Sequence, residues 1–153
     1  MTFTYFPFDI SQPEHAKSVV ELQQLSYPVE AKLIGLETIP PLLDTPDTLM
    51  SCGETFIGCF EGDLLAGAVS YKLDGDTVDI HRMMVHPERF RRGIAQSLLD
   101  AVLSVPGARK AVVSTGSANV PAVKLYERNG FKETEKVEIA PAVTITRFEN
   151  DLS

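Results

Sequence analysis

The chain is poor in the features that mark an oxidising compartment, a metal site or a polyanionic partner. It has only two cysteines, Cys52 and Cys59, and neither a further cysteine nor a nearby histidine pair completes a zinc site, so no metal is expected. Both are read as reduced, partly buried small hydrophobes. The longest apolar run, Leu64 to Val69, is far below the roughly 18 residues that a membrane-spanning helix requires. Met1 to Ile10 carries no basic stretch and is interrupted by Pro7 and Asp9, so no signal peptide is expected and the cytoplasm is the default compartment. Positive charge is scarce as well: 14 Lys and Arg face 21 Asp and Glu among 153 residues, a formal net charge of -7. Nucleic acid and anionic membrane are therefore not expected partners, since each calls for a basic surface.

Repeats, low-complexity tracts and linkers are also lacking, so residues 1–153 are expected to form one domain with a core that needs no disulfide or metal. Thr2 to Phe8 alternates as a strand does. Ser11 to Glu14 resembles a helix start, and the stripe of Val19, Val20, Leu22 and Leu25 predicts a helix ending near Tyr27-Pro28. A second helix is expected over Glu30 to Leu36, followed by an irregular segment around Ile39-Pro40-Pro41 and Thr45-Pro46-Asp47. Three strands follow, Thr55–Phe60, Leu64–Leu73 and Thr77–Val85, joined by Glu61-Gly62-Asp63 and by Asp74-Gly75, a pair that predicts a type I′ turn. Ile94 to Leu103 has helical spacing, Lys110 to Thr115 reads as a buried strand, and Val120 to Asn129 reads as a helix closed by Gly130. Phe131–Ile139 and Ala142–Phe148 form the last hairpin. The order β-α-α-β-β-β-α-β-α-β-β is that of an α/β fold with a mixed, mostly antiparallel sheet flanked by helices, and a parallel crossover from Thr77 to Thr115.

Between a strand and a helix, Val85 to Ala95 reads V-H-P-E-R-F-R-R-G-I-A. Free N–H groups in the first turn of a helix, together with its dipole, attract an anion, and Gly93 lets a phosphate approach the main chain. Arg91 and Arg92 add charge. The run resembles the acyl-CoA loop of the GCN5-related N-acetyltransferase (GNAT) superfamily, V-x-P-x-x-Q/R-x-x-G-x-G/A. Val85, Pro87, Gly93 and Ala95 match, while Phe90 stands at the Q/R position with Arg89 just before it. Further on, Asn119, Ala122 and the stretch L-Y-E-R-N-G-F from Leu125 to Phe131 resemble the family's N-x-x-A-x-x-x-Y-x-x-x-G-F segment.

The resemblance implies an acyl-CoA-dependent N-acyltransferase that moves an acetyl group from acetyl-CoA to an amine by direct attack in a ternary complex. The departing thiolate needs an acid, the oxyanion a donor and the amine a base. Tyr126 stands where the family's tyrosine faces the CoA sulfur, and a phenol can protonate a thiolate as it forms. A purely packing role beside Leu125 and Phe131 is its alternative. His81 stands where relatives carry a Glu or His that relays the amine's proton, with Asp79 as a second candidate. Main chain from Met83, Met84 and Val85 is implied as the pantetheine and oxyanion contact, and Arg91, Arg92, Gly93, Ile94, Ala95 and Asn119 as the remaining cofactor contacts. Asn119 reads equally as a helix N-cap. Ser114 occupies the place of a catalytic Glu in protein N-terminal acetyltransferases of the superfamily, which counsels against that subclass. From Glu30 to Asp63 seven acids (Glu30, Glu37, Asp44, Asp47, Glu54, Glu61, Asp63) accompany a single base, Lys32, which fits a cationic small-molecule or peptide amine acceptor as well as an acidic surface. A non-catalytic acyl-CoA binder of the same fold is the alternative function, kept open by Phe90 and by the lack of an unambiguous base. An exposed C-terminal strand would permit a homodimer.

Overall fold

The computed structural model describes residues 2–36 and 40–153. Seven strands form one sheet in the order β1-β2-β3-β4-β5-β7-β6. In chain order the elements are β1 (Thr4–Phe8), α1 (Pro13–Ile34), α2 (Pro46–Met50), β2 (Thr55–Glu61), β3 (Leu64–Asp74), β4 (Thr77–Val85), α3 (Ile94–Leu103), β5 (Lys110–Gly116), α4 (Val120–Arg128), β6 (Lys132–Ala140) and β7 (Val143–Asp151), with 3-10 turns at Pro40–Leu43 and Pro87–Arg89. The expected succession of strands and helices is present, yet the first two helices are drawn differently.

Helix α1 does not stop at Pro28 but runs through it to Ile34, closed by Gly35 at φ 82°. An internal proline removes a helical hydrogen bond and costs about 3 kcal/mol. Pro28 is on the exposed face, and Ala16, Val19, Leu22, Tyr27, Ala31 and Ile34 are buried along one stripe that spans it. Burial of those side chains on both sides of the break outweighs the lost bond. The expected second helix over Glu30 to Leu36 is therefore the end of the first. The true α2 begins where an irregular segment is predicted: Thr45 caps it, accepting from Thr48 N–H at 3.3 Å while Thr48 Oγ1 accepts from Thr45 N–H at 2.9 Å, with Pro46 in the first turn. Glu37 and Ile39 lie outside the described residues.

The sheet is covered on both faces. Helices α1 and α2 bury Val19, Leu22, Leu49 and Ile34 against Phe56, Leu65, Ala68 and Met84 on one face. On the other, Ile94, Leu98, Leu99 and Val102 of α3 and Leu125 and Tyr126 of α4 pack on Val69, Val78, Val113 and Phe148. Gly67 makes the α3 contact possible, because a Cβ there would stand 2.8 Å from Ile94 Cγ2 and 3.1 Å from the Met84 carbonyl oxygen. The turn between β3 and β4 is Gly75-Asp76, not Asp74-Gly75, with Asp74 paired to Thr77. Only Gly75 of the two has positive φ, 62°, which is the type II′ pattern rather than type I′. The C-terminal strand β7 lies inside the sheet between β5 and β6, so the edge at that end is β6, whose Lys132, Glu133, Glu135, Lys136 and Glu138 blunt it.

Two irregularities of β4 open the sheet at one end. Its pairing with β3 passes from Ile80↔Tyr71 to Arg82↔Ser70, leaving His81 as the extra residue of a bulge. Its parallel pairing with β5 covers only Thr77↔Lys110, Val78↔Ala111 and Asp79↔Val112. Beyond Asp79 the two strands separate, β4 staying with β3 and β5 with β7. A wedge opens at their carboxyl ends, the place where a parallel pair joined by a crossover helix leaves a crevice.

Candidate active site

That wedge is the root of a cleft of about 830 Å³, within the usual range for ligand sites. One wall is the loop into α3. His86 N–H donates to Ala66 C=O at 2.8 Å, pinning the loop to β3, and His86 Nδ1 accepts from Glu88 N–H at 3.1 Å. Arg91 and Gly93 then take positive φ, 64° and 77°, a conformation that turns successive N–H groups to one side. Gly93 is the N-cap of α3 and brings no side chain to it, and the first helical bond runs from Ser97 N–H to Gly93 C=O at 3.0 Å. The opening N–H groups of α3 thus face the cleft with the positive end of the helix dipole behind them.

Arg89, the neighbour of the anomalous Phe90, is fixed elsewhere. Its Nε donates to Glu61 Oε1 at 3.0 Å and its second guanidinium nitrogen to the same oxygen at 2.5 Å, tying the loop to the end of β2. Phe90 is exposed at the cleft mouth, so its presence leaves the core untouched.

Bulge and register set the second wall. Because His86 N–H faces β3, alternation along the strand sends the N–H groups of Val85 and Met83 into the wedge. There Val85 N–H donates to Ser26 Oγ at 3.3 Å, and Met83 N–H faces the Tyr27 hydroxyl. Met84 is buried and Met83 half-buried, both forming cleft wall.

On the far side, α4 carries Tyr126 on its buried face, edge-on to Phe131 at 5.4 Å and tilted against Phe148 at 6.1 Å. Burial, and secondarily the charge of Glu30, push its phenol above the ordinary value, so it stays protonated. Asn119 caps α4 by accepting from Ala122 N–H at 3.4 Å, and its side chain lies near the Glu30 carboxyl. Burial raises Glu30 above the usual carboxylate range, and the neighbouring Asn119 amide only partly offsets this. Gly116 allows α1 to end against β5, since a Cβ there would collide with Ile34 Cγ2.

His81 sits at the cleft rim on the bulge, its side chain one-third exposed (33%). Asp79 Oδ2 lies 3.3 Å from its Nε2 and Glu54 Oε2 lies 3.9 Å from its Nδ1. Asp79 is outside the cleft lining, so the structure makes it a partner of the imidazole rather than a group facing the cleft. Of the sequence-predicted residues, Tyr126, His81, Met83, Met84, Val85, Arg91, Gly93, Ile94, Ala95 and Asn119 all line the cleft, whereas Arg92 is exposed beside it.

Two features escaped the sequence. Glu30 looks there like one acid among seven, because ending the helix at Pro28 hides its position three residues after buried Tyr27 on the same helical face. The other is a polar network under the bulge. Arg82 Nε donates to Glu54 Oε1 at 2.9 Å and Nη2 to Glu54 Oε2 at 3.3 Å, while Nη1 bonds Gln23 Oε1 at 3.0 Å and also Asp44. Ser70 Oγ donates to Glu54 Oε1 at 2.5 Å. Burial alone would raise Asp44 and Glu54, but bonds and charge from Arg82 outweigh it and hold both below the usual carboxylate range. Among the described residues no group of His, Cys, Asp and Glu is arranged to hold a metal ion, and no helix is long and apolar enough to cross a membrane.

Comparison with known proteins agrees with this geometry. Residues 16–131 match the model of the Acetyltransferase (GNAT) family. The UPF0157 protein YqkA of Bacillus subtilis is 33% identical over 134 residues, 87% of this chain but 39% of that protein, so the chain spans well under half the length of this curated relative. Solved structures share the fold at low identity. The ribosomal-protein-S18-alanine N-acetyltransferase of Escherichia coli superposes with a TM-score of 0.80 at 14% identity, covering 99% of this chain and 95% of that one. The PaiA N-acetyltransferase of Thermoplasma acidophilum, in complex with coenzyme A, gives 0.74 at 18% identity, with 99% of each chain covered. With the family model spanning most of its length and a splayed sheet, α3 loop and α4 tyrosine in the matching order, the chain belongs to the acetyltransferase (GNAT) family.

Proposed function

We propose that the protein transfers an acetyl group from acetyl-CoA to an amine in a ternary complex. The observation that carries this reading is the wedge between β4 and β5, where main-chain donors, a protonated phenol and an open α3 N-terminus face one space. The pyrophosphate of CoA would be met by the N–H groups of Gly93, Ile94 and Ala95 and by the charge of Arg91. The acyl-pantetheine arm would lie along Met83 to Val85. There the Ser26 oxygen already accepts from Val85 N–H, and the Tyr27 hydroxyl faces Met83 N–H, positions where carbonyl oxygens of the arm would be received.

In the reaction the amine nitrogen bonds to the thioester carbonyl carbon, and the oxyanion is stabilised by Met83 N–H. His81, oriented by Asp79, takes the proton the nitrogen sheds and passes it to solvent through its exposed edge. Collapse of the intermediate breaks the C–S bond, Tyr126 protonates the sulfur, and free CoA leaves with the N-acetyl product. The test is single-turnover release of CoA thiol with acetyl-CoA and a panel of amines. Amine-dependent release supports the transferase. Tight acetyl-CoA binding with no amine-dependent release would make the protein an acyl-CoA binder instead.

A further inference from the structure

The acidic stretch that suggests a cationic acceptor largely faces away from the cleft. Asp44 and Glu54 are engaged by Arg82, and Glu61 by Arg89. Asp47 and Asp63 are exposed away from the lining. Among the described acids from Glu30 to Asp63, Glu30 alone lines the cleft, near Asn119 and close enough to Tyr126 to raise its phenol.

The walls around that carboxyl are apolar. Val29 and Leu33, four residues apart on one face of α1, line the cleft together with Leu36 just beyond the helix end, Ile139 of β6 and Ile145 of β7. Val29, Leu33 and Ile139 are 39%, 45% and 55% exposed, large for aliphatic side chains in one concave site. The α3 loop and β4 take the cofactor in the proposed function, so this part of the cleft is left for the acceptor.

One partly buried negative charge among aliphatic walls complements one ammonium on an apolar body, and it penalises a second charge, which would lie against Leu33 and Ile139 without a partner. We infer that the acceptor is a small primary monoamine with a hydrophobic substituent, its ammonium anchored by Glu30 before deprotonation and its apolar body held by Val29, Leu33 and Ile139. The inference rests on the acetyl-transfer reading for what happens to the amine, but not for its binding.

The test is calorimetric binding of hexylamine and hexamethylenediamine, equal in length and differing by one terminal charge, to the CoA-loaded protein. Hexylamine is expected to bind about tenfold or more tighter. Glu30→Gln should weaken hexylamine about tenfold or more while leaving the CoA affinity unchanged. Leu33→Asp, an exposed position whose replacement spares the core, should reverse the preference between the two amines. Diamine binding equal to or tighter than hexylamine in the unaltered protein, or Glu30→Gln binding hexylamine as the parent does, would overturn the inference. Selective binding of hexylamine without N-acetyl product would leave the inference standing and remove the transferase reading. Acetylation of the diamine in preference would do the opposite.

Discussion

The side of the cleft proposed for the acetyl donor is built from main chain contributed by one continuous segment, Met83 to Ala95, whereas the side proposed for the acceptor is built from side chains that meet from α1, β4, α4, β6 and β7. The first can be written into a short run of sequence, since a backbone path needs only a few residues that permit it: Gly93 at φ 77°, Pro87 opening a 3-10 turn, and Gly67 beneath α3. The second depends on how far apart elements pack. Glu30 becomes a cleft group only because α1 continues through Pro28, and Asp44 and Glu54 cease to be available charges only because Arg82 reaches both.

Substitutions that strike one side and spare the other sharpen this contrast. The largest effect is expected for Tyr126→Phe, which should lower turnover about 100-fold or more, with acetyl-CoA affinity within about twofold of the parent. An unchanged rate in steady-state kinetics would reassign Tyr126 to packing against Phe131. Next comes Arg82→Ala, which strands Glu54 and Asp44 in a half-buried site and should cost about 3 kcal/mol in urea unfolding. Its pH dependence has a defined sign. Both acids are lowered in the folded state, so their contribution is present above the unfolded carboxyl values and is lost as pH falls through the lowered folded ones. The parent should accordingly shed more stability than Arg82→Ala on acidification below about pH 4.

Gly93→Glu should weaken acetyl-CoA about tenfold or more by calorimetry, through left-handed strain and a carboxylate beside the pyrophosphate. The open space around Gly93 lets the variant fold, so unaltered affinity would refute the loop placement. The smallest expected change is in the stability of Glu30→Gln. A carboxyl raised in the folded state supports folding fully only below its unfolded value, and that support is lost as pH rises through the folded one. The variant should thus melt about one or two degrees higher than the parent at neutral pH, and the gap should close in acid.

Legibility in the sequence followed the range of the interactions. Helix α3 coincides with the predicted Ile94 to Leu103, because glycine at its start and an unbroken 3.6-residue stripe are local signals. The break expected at Pro28 was overridden by burial of Tyr27, Ala31 and Ile34, which no local preference reports. The turn after β3 shifted by one residue because a two-residue loop is set by strand register, Asp74 pairing with Thr77. The His81 bulge and the parting of β4 from β5 have no single-residue signature, although both arrange the site.

Following an isotopically labelled acetyl group from acetyl-CoA, with and without hexylamine, tests the central claim most directly. The label is predicted to pass to the amine alone, leaving the protein unmodified and CoA released only when amine is present. Label retained on CoA in a tight complex, or carried covalently on the protein, would contradict direct transfer between two ligands held in the cleft.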